Sequence, residues 1–143
     1  MDGGQVCFSG VLFENILTIQ DGRVEVYATA PSGTHNAQPY KDKLIYNHTP
    51  ENCACLADRT GEVIRRFPVP KYKARELNMG LPDSIARQAF ARGLCYTQDQ
   101  VLVLGSSPAT ITAYDIESGE MLKTLNLSKD VRNAIHGLEL WPY

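Results

Sequence analysis

Residues 35–58 read HNAQPYKDKLIYNHTPENCACLAD, and residues 92–115 read RGLCYTQDQVLVLGSSPATITAYD. The two stretches align without a gap, so that Asp58 falls on Asp115, and a glycine-containing turn follows each of these aspartates. In both copies the apolar segments are short, rich in β-branched and aromatic residues, and separated by turn residues. This pattern predicts two units of four antiparallel strands, which we call A, B, C and D in chain order.

A third copy is divided between the two ends of the chain. Gln5–Gly10 resembles Gln100–Gly105, which is a strand B, and residues 16–27 supply strands C and D. His136–Leu138 resembles Arg92–Leu94, which begins a strand A. The predicted boundaries are 5–29 with 136–142 for the first unit, 35–67 for the second, 68–90 for an insert and 91–126 for the third.

Four-stranded units of this size are the blades of a β-propeller, a ring of about four to eight blades around a channel. Three blades leave the ring open and leave the C-terminal strand A without its neighbours. A homodimer solves both problems, because the C-terminal strand of each copy would complete the first blade of the other and close a six-bladed ring. The alternatives are an excised half of a longer chain and pairing with a different three-bladed protein.

The turns at Asp58 and Asp115, of the form Asp-x-x-(x)-Gly-Glu, and the Arg-Gly-Leu or His-Gly-Leu starts of strand A carry a family resemblance. They resemble six-bladed propellers of the strictosidine synthase, gluconolactonase and NHL-repeat kind, and above all bacterial propellers of unknown function. The resemblance implies an all-β fold and leaves a lactonase-like or strictosidine synthase-like activity open. Members of these families hold all blades in one chain, whereas this chain has half that number.

Composition excludes several classes of protein. A chain of 143 residues with a formal net charge of −2 is predicted to be one globular domain with neither a nucleic-acid nor a membrane partner. No apolar run approaches the roughly 20 residues that cross a bilayer, and the N-terminus does not resemble a signal peptide, so we expect a cytoplasmic location. Thiols in that compartment are normally reduced and packed.

The four cysteines are Cys7, Cys53, Cys55 and Cys95. Cys53 and Cys55 would share one face of a strand, and their spacing is too tight for a usual zinc motif. We therefore expect packing roles for all four, with metal or redox chemistry as the less favoured alternative.

One segment, residues 68–90, has no counterpart in the repeat. Pro68 and Pro70 should stop strand D, and Asp83 or Ser84 could cap a short helix through Phe90. We predict that this insert is a lid over the channel mouth. A surface flap and a dimer clasp are the alternatives.

In a propeller, strand A lines the channel, and the D-to-A links and B-to-C loops open on the same face. His35, Arg92 and His136 each begin a strand A, and His48 lies in a B-to-C loop, so all three histidines are predicted at one mouth. His35, His48 and His136 are the candidate catalytic residues, because histidine titrates near neutral pH. The predicted ligand-binding residues are Arg92, Asn36, Asn47, Glu14, Asn15, Ser106 and Ser107.

The chemistry of this mouth favours an anionic or polar metabolite, bound or processed in the channel. Arginine offers a fixed fork of donors that suits carboxylate or phosphate. No metal ligand is assigned and no cofactor is required. Calcium prefers oxygen ligands, whereas the predicted mouth offers imidazole nitrogens, so a calcium site is not expected; a softer metal at the histidines stays open. The sequence does not decide whether the protein is an enzyme. The alternatives are a non-enzymatic scaffold for protein interactions and, for each histidine alone, a structural role.

Overall fold

The computed structural model describes residues 6–10, 13–78, 82 and 86–141. The strands in these ranges are β1 (Cys7–Phe8), β2 (Asn15–Gln20), β3 (Arg23–Thr29), β4 (Thr34–Tyr40), β5 (Lys43–His48), β6 (Cys53–Ala57), β7 (Val63–Pro68), β8 (Gly93–Tyr96), β9 (Val101–Ser106), β10 (Thr110–Asp115) and β11 (Met121–Asn126). Two single 3₁₀ turns, Thr49–Glu51 and Ala74–Glu76, complete the regular structure of the described residues. The protein is all-β, as predicted.

The strands form three antiparallel sheets in chain order. The first sheet holds β1 to β3, the second β4 to β7, and the third β8 to β11. Within each sheet, every strand pairs with the next along the chain, as in a propeller blade, and the arrangement is consistent with half a propeller. The turns after Asp58 and Asp115 place Gly61 and Gly119 at φ of 96° and 80°, a backbone conformation that glycine adopts without strain.

The second sheet lies between the other two and is buried on both faces. Leu44 and Tyr46 point from β5 toward the first sheet, whereas Ile45 points toward the third. Successive side chains of a strand alternate between faces, so an unbroken apolar run suits a strand that is covered on both sides. Two hydrophobic cores result, one on each side of the second sheet.

The C-terminal residues differ from the prediction in this single chain. Residues 131–141, which include the strand A expected at 136–140, contain no strand. The segment crosses the third sheet instead, where Gly93 N donates to Ile135 O at 2.9 Å and Ile135 N donates to Ser106 O at 3.3 Å. A segment becomes a strand only where the edge of a sheet is available to pair with it. The edge predicted to pair with residues 136–140 belongs to a second copy of the chain. We call residues 131–141 the tail.

The insert also differs from the prediction. Residues 86–90 form a turn and not the end of a helix, and the proposed caps Asp83 and Ser84 lie outside the described residues, as do residues 5 and 142 of the predicted first unit. Among the residues described, no helix has the length and hydrophobicity needed to cross a bilayer.

Candidate functional site

Arg92 and His35 meet at the boundary between the second and third sheets. Arg92 Nη1 lies 3.1 Å from both ring nitrogens of His35, and the guanidinium carbon lies 4.2 Å from the centre of the Phe90 ring. His35 comes from β4, and Arg92 directly precedes β8. The arginine side chain is thus held between an imidazole and an aromatic ring, which fixes the direction of its remaining donors.

Two asparagines hold the main chain of Arg92. Asn47 Nδ2 donates to Arg92 O at 2.8 Å, and Asn36 Nδ2 donates to the same oxygen. Asn47 is fully buried, and its Oδ1 has no hydrogen-bond partner among the described residues. Asn36 adopts a φ of 50°, at the irregularity between His35 and Gln38 in the pairing of β4 with β5. This irregularity turns the Asn36 amide toward the third sheet.

The electrostatics of the pair leave one positive charge without a partner. Burial lowers the pKa of His35, and the nearby charge of Arg92 lowers it further, so His35 is neutral at pH 7. Arg92 stays protonated, although burial lowers its pKa too. No carboxylate within the described ranges forms an ion pair with Arg92, and its buried Nε has no hydrogen-bond partner there. A half-buried, unpaired guanidinium attracts an anion.

The insert is anchored beside this pair. Arg87 Nη2 donates to Thr49 O at 2.8 Å, and Ser107 Oγ donates to Arg87 O. Tyr72 forms a hydrogen bond with Thr110 at 3.1 Å between the two hydroxyl oxygens. These contacts fix the insert to the loops of the second and third sheets, and they place Phe90 under Arg92. The sequence did not single out Phe90 as a site residue, because the insert lacks a repeat that would place it.

His136 lies on the tail and is exposed. Its carbonyl oxygen is 3.5 Å from Asn36 Nδ2, so its main chain, and not its imidazole, is in contact with the site. A cavity of about 460 Å³ opens beside it, between the tail and the outer edge of β1, which pairs with no strand among the described residues. The cavity is lined by Cys7, Phe8, Ser9, Asn36, Ala37, Gln38, Leu94, His136, Gly137 and Leu138.

His48 occupies a different place from His35. His35 pairs with Asn47 across β4 and β5, and His48 is the next residue along β5, so the two histidines project from opposite faces of the second sheet. His48 lines a cavity of about 370 Å³ between the first and second sheets, together with Glu14. Its Nδ1 lies 3.7 Å from Glu51 Oε2, and the same oxygen forms an ion pair with Arg66 Nη2 at 3.3 Å.

The remaining predicted residues do not present side chains beside Arg92. Asn15 is exposed at the start of β2, where it pairs with Thr29. Ser106 and Ser107 are buried, and Ser107 uses its hydroxyl on Arg87. The structure therefore brings together His35, Asn36, Asn47 and Arg92, with the His136 main chain at their side, and it separates them from His48 and Glu14.

Metal ligands do not converge here. Within residues 6–10, 13–78, 82 and 86–141, no group of three or more His, Cys, Asp or Glu side chains is placed to hold a metal ion. All four cysteines are free thiols.

No family model matches the chain, and no curated protein matches it. Among solved structures, it is similar to the computationally designed Ika4 protein, with a TM-score of 0.62 and 12% identity over 99% of this chain and 76% of that one. It is also similar to a streptogramin B lyase, with a TM-score of 0.46 and 16% identity over 82% of this chain and 39% of that enzyme. At 12% identity, the likeness to Ika4 shows a shared fold and carries no activity.

Proposed function

We propose that two copies of the chain close a six-bladed propeller by exchanging their tails, and that the channel mouth of this dimer binds a small anionic metabolite. The observation that carries the proposal is the guanidinium of Arg92, which lies between His35 and Phe90 and has no ion-pair partner among the described residues. Neutral His35 can donate one further hydrogen bond or accept a proton, so the same pair suits either binding or acid–base processing of the ligand.

The contacts of the tail support the exchange. Within the chain, Thr49, in the 3₁₀ turn after β5, donates its hydroxyl to the main-chain oxygen of Ala91, just before the next strand A. Ser106 is the repeat equivalent of Thr49, and Ile135 stands before His136 as Ala91 stands before Arg92. Ser106 accepts from Ile135. The two hydrogen bonds differ in kind, since Thr49 donates through its side chain and Ser106 accepts through its main chain, but they join equivalent positions. In the proposed dimer the tail would therefore begin a fourth blade beside the third sheet, as β8 begins the third blade beside the second.

Apolar side chains on the outer face of the first sheet support the same closure. Val24, Val26 and Ile19 are 63%, 62% and 56% exposed, and they share a face because Ile19 pairs with Val24. The corresponding faces of the second sheet are covered. A second copy would cover this face with its third sheet, and its tail would pair with the free edge of β1 beside the 460 Å³ cavity.

The closed ring would extend the anion site. His136 would follow Arg92 around the mouth as Arg92 follows His35, so each copy would contribute His35, Arg92 and His136 in turn. This arrangement places two arginines and four histidines around one opening. Charge-assisted hydrogen bonds from such donors favour carboxylate or phosphate over neutral ligands.

Two measurements test the proposal. Sedimentation velocity over a concentration series should give a mass of twice 15.9 kDa. Isothermal titration calorimetry with inorganic phosphate and with succinate should detect binding of at least one of them, and Arg92→Gln should weaken it at least about tenfold, because one lost charge-assisted hydrogen bond is worth about 1.5–3 kcal/mol. Arg132→Gln is the matched control, because Arg132 is exposed and pairs with Asp130.

The outcomes separate the two halves of the proposal. A mass of one chain at all concentrations would contradict the dimer, and it would favour the alternative in which the exposed face of the first sheet binds a different protein. Equal affinity of the wild type and Arg92→Gln for every anion would contradict the binding site, whatever the mass.

A further inference from the structure

Cys53 and Cys55 form a thiol pair that the proposed anion site does not use. They are separated by one residue on β6, so both point to the face that packs on the first sheet, and their sulfur atoms are 3.8 Å apart. Both are buried. Cys7 and Cys95 lie on other strands, and neither forms a sulfur–sulfur hydrogen bond among the described residues.

The backbone allows the two sulfurs to bond. Two residues at this spacing on a strand have Cα atoms about 6.7 Å apart, which is near the wide limit of the range that disulfides span. The sulfurs would have to approach from 3.8 Å to about 2 Å, which requires β6 to pucker at Ala54 so that the two Cβ atoms come within about 4.5 Å of each other. A disulfide at that limit is readily reversed by thiols.

The two thiols are not equivalent. A hydrogen bond from Cys55, with help from the charge of Arg66, lowers the pKa of Cys53 despite its burial. The same hydrogen bond and burial raise the pKa of Cys55. Cys53 is therefore the better nucleophile of the pair, and Cys55 is placed to attack a mixed disulfide that forms on Cys53.

The pair lies directly behind the wall of the 370 Å³ cavity between the first and second sheets. Tyr46 and Arg66 pair across the sheet with Cys55, and His48 pairs with Cys53. Tyr46, His48 and Arg66 all line the cavity. One layer of side chains thus separates a reagent in this cavity from the two sulfurs, and the reaction requires one of these side chains to swing aside.

From these positions we infer that Cys53 and Cys55 are a reversible dithiol–disulfide site that takes a low-molecular-weight disulfide as its oxidant. The Cys53 thiolate attacks one sulfur of the small disulfide and expels the other as a thiolate. Cys55, on losing its proton, then attacks Cys53 Sγ and expels the second small thiolate. In total, two protein thiols are oxidised, one small disulfide is reduced to two thiols, and no other reagent is needed.

The test is oxidation of the folded protein with glutathione disulfide, followed by digestion with trypsin and mass spectrometry. Residues 44–59 form one tryptic peptide that contains both thiols and neither of the other two. We expect this peptide to lose the mass of two hydrogen atoms at least about tenfold faster than Cys95 gains a glutathione adduct, because a lowered pKa increases the thiolate fraction of Cys53. Reduced glutathione in excess should restore it.

Single variants assign the roles. Cys55→Ala should stop the reaction at a stable glutathione adduct on Cys53, whereas Cys53→Ala should leave Cys55 unmodified at the same time point. Cys95→Ala is the matched control and should leave the 44–59 peptide oxidised at the wild-type rate. The inference is wrong if the wild-type peptide stays reduced while Cys7 or Cys95 is modified, or if it is oxidised only in denaturant. The wild-type result alone decides this, so a poorly folded variant does not rescue the inference.

Discussion

Replacing Gly105 with alanine tests whether the tail docks as the first strand of a fourth blade. A Cβ at this position would lie 2.5 Å from Ile135 Cγ2, 2.6 Å from Ile135 Cβ and 2.8 Å from Ile135 O. Atoms do not approach so closely, and one of the three belongs to the main chain, so a side-chain rotation alone does not relieve the clash. Gly105 lies on β9 and points away from the second sheet, which makes the tail the structure that must move.

Gly105→Ala has two opposing effects on free energy, and the larger one is the cost to the docked tail. Alanine in a strand is about 0.5–1 kcal/mol more favourable than glycine, so the third sheet itself gains slightly. Overpacking at a contact costs about 1–3 kcal/mol, which falls on the docked tail. A separated chain can release its tail and so relieve the clash, whereas the proposed dimer keeps both tails docked, so its dissociation free energy should drop by as much as about 2–6 kcal/mol. That is a weakening of about 30-fold to more than 10⁴-fold in the dissociation constant.

The assay is sedimentation equilibrium over a concentration series, with hydrogen exchange at the Ile135 amide as a second readout. Gly137→Ala is the matched control, because a Cβ there meets nothing within 4 Å. We expect Gly105→Ala to shift the dimer toward single chains and to expose the Ile135 amide, while Gly137→Ala behaves as the wild type. A Gly105→Ala dissociation constant within about twofold of the wild type, with the Ile135 amide still protected, would refute the docking of the tail.

Two further predictions concern single side chains. The pKa of His35 is lower in the folded protein than its ordinary value of 6.5, so the folded state is favoured fully above pH 6.5 and loses stability as the pH falls toward the folded-state pKa. His35→Gln should therefore reduce the change of the urea denaturation midpoint with pH between about pH 7.5 and 5. A flat wild-type profile would contradict this. Tyr114→Phe should lower the free energy of unfolding by about 0.5–1.5 kcal/mol, because the buried Tyr114 hydroxyl donates to Pro68 O. Tyr46→Phe should lower the free energy of unfolding by less, or raise it, since the buried Tyr46 hydroxyl has no hydrogen-bond partner in the described residues. Equal losses of unfolding free energy in the two variants would contradict this prediction.

The sheets were predictable because several sequence signals agree. The stretch 92–115 repeats 35–58, the turns after Asp58 and Asp115 supply glycine where φ is positive, and the strands between them are apolar on both faces. Each signal is local, so it can be recognised in the sequence without knowledge of distant contacts. The all-β class and the three sheets followed from them.

The site was harder to predict because it depends on the pairing register. His35 and His48 share an end of the second sheet, but a shift of one residue sends a side chain to the opposite face. The irregularity between His35 and Gln38, with Asn36 at positive φ, is set by how β4 meets β5 and has no signature in composition. The role of Phe90 could not be predicted for a related reason, since its position depends on contacts of the insert with two different sheets.

The two ends of this half-ring complement each other, and this bears on the anion site. One end offers the third sheet with a tail that has no strand to pair with, and the other offers the first sheet with an apolar face and a free β1 edge. Because the ends differ, a second copy in the proposed dimer would join both of them head to tail, and two copies would close the ring. The His35–Arg92 boundary lies within one chain, whereas the proposed Arg92–His136 boundary is completed only by closure. Anion affinity should therefore rise with protein concentration through the range in which the dimer forms, and a fixed affinity across that range would confine the site to His35 and Arg92.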